Sequence, residues 1–450
     1  MAASYNVLIV LPNQLFYDDH GIKVQSKSII SENSIKYDHV YVVEHPSYFV
    51  NHAKTQIILL RSCMKNFYST ICINIPTTYV DYKNYNIKRI CKEIHKLSPK
   101  TTTIYIANPE DFDIFQEFDK IKYNLQVHHS RLFIIPFDDI IQDKHTDINS
   151  FSKFYIEKYG LDKLTNKYKS VSIEGEIAKT KLRKITDYHS EAVKYAECTS
   201  VHYLLWDNRD DILCTINECF CCNLLVQPEH ILTVLNTGII TPWDIIECIN
   251  TAPDLCDKFA KMLISFLLER EFYRAQYIKY YKQQLDNTPV EMRNMTDALS
   301  NGTTQCAAFN DIIQAIIINS NPLAHHVLRC YRDITLLTQT KIQDVYNWLT
   351  RHLTNSYPWY IFGMVQTEFH CDSLIKPPYI SLASEVQKML KFINSPHQMN
   401  ATDWNNLVMY FIHNHDELMR DDVRTKLWKK KKAKDKKAII DKAKAFIDSL

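Results

Sequence analysis

The sequence predicts a chain of two domains, an α/β domain followed by an all-α domain, and three observations carry that expectation. The first third alternates β-rich runs with amphipathic helical stretches, the pattern of a parallel sheet covered by helices. Beyond about residue 190 the β-rich runs give way to apolar residues at helical spacing. The 450 residues, 46% apolar and 12% aromatic, suffice for two or three domains with a large core.

Within the first domain, expected over 1–140, Tyr5 to Leu11 (YNVLIVL) and His39 to Glu44 (HVYVVE) read as strands. Asn51 to Tyr68 places Ile57, Leu60, Met64 and Phe67 on one helical face, so the opening reads as βαβ. Two more strands are expected over Thr102 to Ala107 and Leu132 to Phe137. Between them Asn108-Pro109-Glu110 opens a helix, since proline suits a first turn. From about Asp139 to Lys184 the chain is polar and lysine-rich, with Gly160 and Gly175, and residues 141–190 read as an interdomain connection. The helical domain spans 191–425. In it Lys258 to Tyr281 carries Phe259, Met262, Leu263 and Phe266 at helical spacing, and Lys341 to Leu353 carries Ile342, Val345, Tyr346, Leu349 and Leu353. Residues 426–450 form a lysine-rich helix whose Lys429 to Lys437 run is a solvated face, a nuclear signal or a phosphate-binding arm.

Composition narrows the function. Fifty-three basic against 51 acidic residues give a net charge of +2, so a nucleic-acid partner has to be met by a local patch. No stretch approaches the roughly 20 apolar residues of a membrane span, and no basic segment precedes the short apolar run at the N-terminus, which points to the cytosol or nucleus. Thirteen irregularly spaced cysteines read as reduced, buried thiols; the Cys219, Cys221, Cys222 cluster lacks a second pair at finger spacing and is assigned to the core rather than to a metal. The six glycines, at 21, 160, 175, 238, 302 and 363, form neither a dinucleotide fingerprint nor a P-loop. Richness in Ile, Lys, Asn and Tyr suggests an AT-rich genome, a protist or a large DNA virus.

Three stretches could carry chemistry. In "PLAHHVLR", His325 and His326 lie one turn ahead of Arg329 near a helix start, where an imidazole either exchanges a proton in a cleft or merely caps and packs. In "FLLEREFYRAQYIKYY", Arg270, Arg274, Tyr277 and Tyr281 share a helical face that suits phosphates and stacked bases, or plain solvent. In "SYPWYIFGM", Tyr357 and Trp359 are core aromatics or relays for an electron.

Taken in order, these stretches resemble the photolyase and cryptochrome family, in particular its iron–sulfur bacterial branch. "VLPNQLF" looks like that branch's opening strand and turn, and "VYVVEHPSYFVNHAKTQIILLRSCMKNF" its next strand, glutamate, His-Lys pair and helix. "ILTVLNTGIITP" resembles the Leu-Asn-x-Gly turn, "EREFYRAQY" the Trp-Arg-Glu-Tyr-x-Arg helix and "LAHHVLR" the Ala-His-His-x-x-Arg segment. "YPWYIFGM" and "PPYISLASEVQKM" look like two later elements, so the resemblance covers most of the chain. It implies an α/β domain able to hold an antenna chromophore and a helical domain folded around FAD. It further implies light-driven repair of a flipped pyrimidine lesion in DNA. By the same match His326 is the proton donor with His325 beside it. Thr233, Leu235, Asn236, Arg270 and Arg274 hold the flavin, Trp359 carries electrons, and Arg270, Arg274, Tyr277 and Arg329 meet DNA.

The departures matter equally. No cysteine follows Cys371, and cluster cysteines of the branch fall on Asn310 and Thr402, so no iron–sulfur cluster is expected. Leu268-Glu269 replaces a Gly-Trp, setting a carboxylate where the family has an indole. No clean counterpart of the family's Gly-Asn-Phe follows the histidines in "RCYRDITLL", and a Pro-Asn is lost between Trp359 and Gly363. Three readings stay open: a working flavoprotein; a degenerate photolyase-fold scaffold that binds DNA; and a purely protein-binding or virion-type structural protein using the lysine-rich tail.

Overall fold

The computed structural model describes residues 5–15, 35–161 with short breaks, 228–281 with one break at 252–256, 293–304, 340–353 and 357–368, and single turns near 212–216, 310–317 and 331–338. The chain divides into two compact units, one of Met1–Tyr281 with Thr354–Tyr360 and one of Lys282–Leu353 with Ile361–Leu450.

The first unit is built on a five-stranded, wholly parallel sheet in the order β3-β2-β1-β4-β5. Strand β1 is Tyr5–Val10, β2 His39–Val43, β3 Thr77–Val80, β4 Thr102–Ala107 and β5 Leu125–His128. Strands β1, β2 and β4 are continuous apolar runs because helices cover both faces: Val7, Ile9, Val10, Val40, Val42 and Ile106 are wholly buried. The crossovers are helix α1 (Lys54–Ile71), helix α2 (Ile87–Leu97) and helix α3 (Phe112–Asp119), followed by α4 (Phe137–Ile141) and α5 (Ile148–Tyr159). Three helices complete the described part of this unit: α6 (Pro228–Thr237), α7 (Pro242–Thr251) and α8 (Asp257–Tyr280). The second unit contains α9 (Asp297–Asn301) and α10 (Ile342–His352). Helix α11 (Pro358–Glu368) begins in the first unit and ends in the second.

Five elements differ from the sequence reading. The strand expected at Leu132 to Phe137 lies earlier, at Leu125–His128; residues 132–136 are irregular, with 132–135 deeply buried, and Phe137 starts a helix. Apolar content alone cannot separate a strand from a buried loop whose backbone is paired by side chains. Helix α3 begins at Phe112 rather than at Pro109, because Asp111 caps it by accepting from the backbone N–H groups of Asp113 and Ile114. Part of the polar stretch beyond Asp139 is helical: Asp147 caps α5, and Gly160, at φ 65°, closes it. Strand β3 and helix α2 were not expected at all. β3 is a short, half-exposed edge strand, but α2 has a legible apolar row of Ile87, Ile90, Cys91 and Ile94.

Gly238, at the end of α6, has φ 70°, and a Cβ there would lie 2.0 Å from the Asn13 carbonyl oxygen. A glycine is therefore the residue that lets α6 press against the turn following β1. The same turn carries Gln14, whose Oε1 accepts from Leu11 N–H and whose Nε2 donates to the Ala107 carbonyl. Gln14 thus ties β1 to β4 at the point where strand order reverses, the crevice in which open α/β sheets place ligands.

Candidate active site

Helix α8 carries Arg270, Arg274 and Tyr277 of the expected site residues, and residues 270–277 are all buried. Arg270 donates from Nη1 to the Leu132 carbonyl at 2.7 Å and from Nε to Asn236 Oδ1 at 3.2 Å. One helical turn on, Arg274 Nη1 donates to the Ile135 carbonyl at 2.7 Å and lies 3.3 Å from Glu271 Oε2. Glu271 Oε1 accepts the Ile134 N–H at 2.8 Å. From α7, Trp243 Nε1 donates to the Phe133 carbonyl at 3.2 Å. Each residue from Leu132 to Ile135 therefore has a backbone group bonded to a helix side chain, which accounts for a buried segment outside the sheet ladder.

The ring of Phe133 completes this clamp. The Arg274 and Arg270 guanidinium carbons lie 3.9 and 4.5 Å from its centroid, and the Trp359 ring meets it edge-on at 5.3 Å. Arg270 also lies 5.2 Å from the Trp359 centroid. Burial pushes the Arg270 guanidinium down to about 10, with Glu271 opposing and Arg274 adding to the shift, so it keeps its charge near neutrality. Planar, weakly hydrated guanidinium groups suit such a site, since they bond carbonyls in plane and stack on rings.

The structure therefore brings Asn236, Arg270, Arg274 and Trp359 together, and Leu235 is buried on the same helix as Asn236. It does so inside the protein rather than along an open cleft: Arg270, Arg274 and Tyr277 are 3%, 1% and 2% exposed. Tyr277 accepts at its hydroxyl from Phe112 N–H, and Tyr281 bonds Asp113, which docks the end of α8 on the start of α3. Sequence periodicity identified this row of α8 but not which side of it was covered. Glu271, the acceptor at the centre of the clamp, escaped notice, although its place between Arg270 and Arg274 was the available signal.

His325, His326 and Arg329, together with the Thr233 side chain, the Cys219 to Cys222 cluster, Thr402 and the Lys429 to Lys437 run, lie outside the described residues. Glu269, where the resemblance expects an indole, accepts a 2.7 Å hydrogen bond from the Tyr273 hydroxyl. In the second unit Asn310, expected as a cysteine by the resemblance, accepts at Oδ1 from Thr304 N–H and Oγ1, both at 2.7 Å, and returns a bond from Nδ2 to the Thr304 carbonyl. Its amide is tied to Thr304 by these three bonds.

The fit to FAD is accordingly divided. Asn236 Oδ1, Arg270 Nε and Nη1, and Arg274 Nη1 are committed to the protein itself, which withdraws these atoms from a flavin ring or diphosphate. In contrast, Trp359 Nε1 and the Tyr357 hydroxyl are buried polar groups without a hydrogen-bond partner among the described residues. Tyr357 packs edge-on against Tyr48 at 5.2 Å, and burial holds its hydroxyl far above the usual phenol range.

No family model and no curated protein matches the chain. Three solved structures show its fold. It is similar to an archaeal photolyase from Sulfolobus tokodaii crystallised with two FAD molecules, at 11% identity over 99% of this chain and 100% of that one, with a TM-score of 0.55. A bacterial class III photolyase from Agrobacterium tumefaciens gives 10% identity over 100% and 99% of the two chains and a TM-score of 0.55. A cryptochrome from Synechocystis gives 11% identity over 99% and 100% and a TM-score of 0.57. The chain has the photolyase and cryptochrome architecture, an α/β N-terminal domain followed by a helical domain.

Proposed function

We propose that this chain is a photolyase-fold scaffold that works by binding, and that the residues which in the resemblance hold flavin and DNA here hold the protein together. The observation that carries this reading is the clamp: Arg270, Glu271 and Arg274 each bond the backbone of residues 132–135. The Arg270 and Arg274 donors that bond these carbonyls are withdrawn from a cofactor phosphate, and turning them towards one would leave the buried carbonyls unpaired. The cysteine pattern adds that no iron–sulfur cluster is carried, since Asn310 and Thr402 stand at cluster positions. DNA and, for a virion component, a protein partner are the binding partners that this reading admits.

A second reading, a working flavoprotein, draws on one specific observation, the unpaired buried Trp359 Nε1 and Tyr357 hydroxyl. In that case Trp359 and His326 keep the electron-relay and proton-donor roles implied by the resemblance, and the bound group supplies light-driven one-electron reduction of a lesion. The two readings separate in a repair assay on ultraviolet-damaged DNA under blue light with FAD supplied. The scaffold reading predicts no repair above the dark control. Light-dependent repair that is lost in His326→Ala would establish the second reading instead.

A further inference from the structure

The surface of helix α2 carries an inference that does not depend on the flavin question. Its apolar row, Ile87, Ile90, Cys91 and Ile94, is 0–5% exposed and faces the interior. On the outer side Lys88, Lys92 and Lys96 are exposed at i, i+4 and i+8, about 6 Å apart along the axis, and form no ion pair among the described residues. Arg89 stands beside this row, its charge shared with Glu93 at 3.5 Å. Arg89 Nη2 also donates to the Asn84 carbonyl, which brings the turn bearing the exposed Lys83 alongside. At the other end His95 meets the Tyr123 ring at 5.3 Å, setting the turn with exposed Lys120 and Lys122 next to the helix. Glu93 and Asp119 are the exposed acids here. In a chain whose basic and acidic residues nearly cancel, 53 against 51, this is a concentrated positive field.

We propose that the α2 face is a docking surface for the phosphate backbone of duplex DNA, read without regard to sequence. Charge complementarity selects the partner: regularly spaced, unpaired ammonium groups suit a regularly spaced polyanion. A membrane surface fits poorly, because the apolar side that would enter lipid is already buried in the domain. An acidic protein fits less well, since the basic row itself offers no aromatic anchor and only Leu97, 49% exposed, beside it.

The test is titration of the full-length protein with a short fluorescent duplex of random sequence at several salt concentrations. The parent should bind at about 50 mM salt and weaken steeply towards about 200 mM. K88Q/K92Q/K96Q should weaken binding at least roughly tenfold at the lower salt and reduce the slope of log affinity against log salt by about 3. E93Q should tighten binding. All four positions are solvent-exposed, so unchanged thermal melting is expected and separates lost contacts from lost folding. Equal affinity and slope in parent and triple variant would overturn the proposal. So would displacement of the duplex by anionic vesicles or by poly-glutamate at equal charge. Either result leaves the scaffold reading intact, because that reading stands on flavin content and repair.

Discussion

Removing the Glu271 carboxylate should separate two elements that the chain now holds in register. The side chain is wholly buried, accepts the Ile134 N–H at 2.8 Å and pairs with Arg274 at 3.3 Å. In Glu271→Ala the N–H loses its acceptor inside the protein, a penalty of about 1–3 kcal/mol. Arg274 loses its carboxylate, and breaking one side of a buried pair costs about 3–5 kcal/mol. One carboxylate makes both interactions, so the penalties overlap, and a loss of roughly 4 kcal/mol is expected. Glu271→Gln keeps an oxygen for Ile134 in nearly the same volume and should lose about half of that. Urea unfolding followed by far-ultraviolet circular dichroism reads the difference as a shift in midpoint at constant slope. Limited proteolysis should cut near residues 129–136 first in the alanine variant. A stability change under about 1 kcal/mol for Glu271→Ala, or equal losses for alanine and glutamine, would refute the idea that Glu271 anchors this segment.

Further consequences concern glycine geometry and pH. Gly238→Ala should destabilise the first unit by more than about 2 kcal/mol, because its φ of 70° disfavours a side chain and its Cβ would strike the Asn13 backbone at 2.0 Å. Gly302→Ala, at φ 62° but with movable side chains of Ile313 and Gln314 at 3.1–3.2 Å, should cost about 1–2 kcal/mol; thermal melts of the two variants give the comparison. His45, through its hydrogen bond to Glu117, holds that carboxyl below the usual range, so its contribution is present above 4.5 and lost as pH falls through the lower folded value. Glu117→Gln should flatten this acid limb in a plot of urea midpoint against pH. Burial, then Arg351, pushes the His352 imidazole down to about 4, so the unfolded chain binds the extra proton first and stability should fall as pH drops from 6.5 towards 4. His352→Asn should remove that slope.

The parallel sheet was legible because β1, β2 and β4 are apolar runs bounded by turn residues, and burial on both faces leaves no alternation to confuse them. Helix α8 was legible from its length and spacing. What sequence could not supply was the environment of its polar residues. Arg270 and Arg274 read equally well as a surface row or as buried donors, since helical periodicity reports which residues share a face but not what covers it. The decisive partners, the carbonyls of Leu132 and Ile135, lie more than a hundred residues earlier in a run that was itself read as a strand. Gly238 illustrates the same limit. In sequence it stood only within the Leu-Asn-x-Gly turn of the resemblance, whereas its closeness to Asn13 depends on contact between distant parts of the chain.

The most direct test of the central claim is the absorption spectrum of the full-length protein purified in the dark, before and after incubation with FAD. If the α8 arginines are committed to the 132–135 segment, the spectrum should show no flavin bands, and added FAD should wash away. Near-stoichiometric flavin, retained through purification and released fluorescent on heating, would contradict the scaffold account.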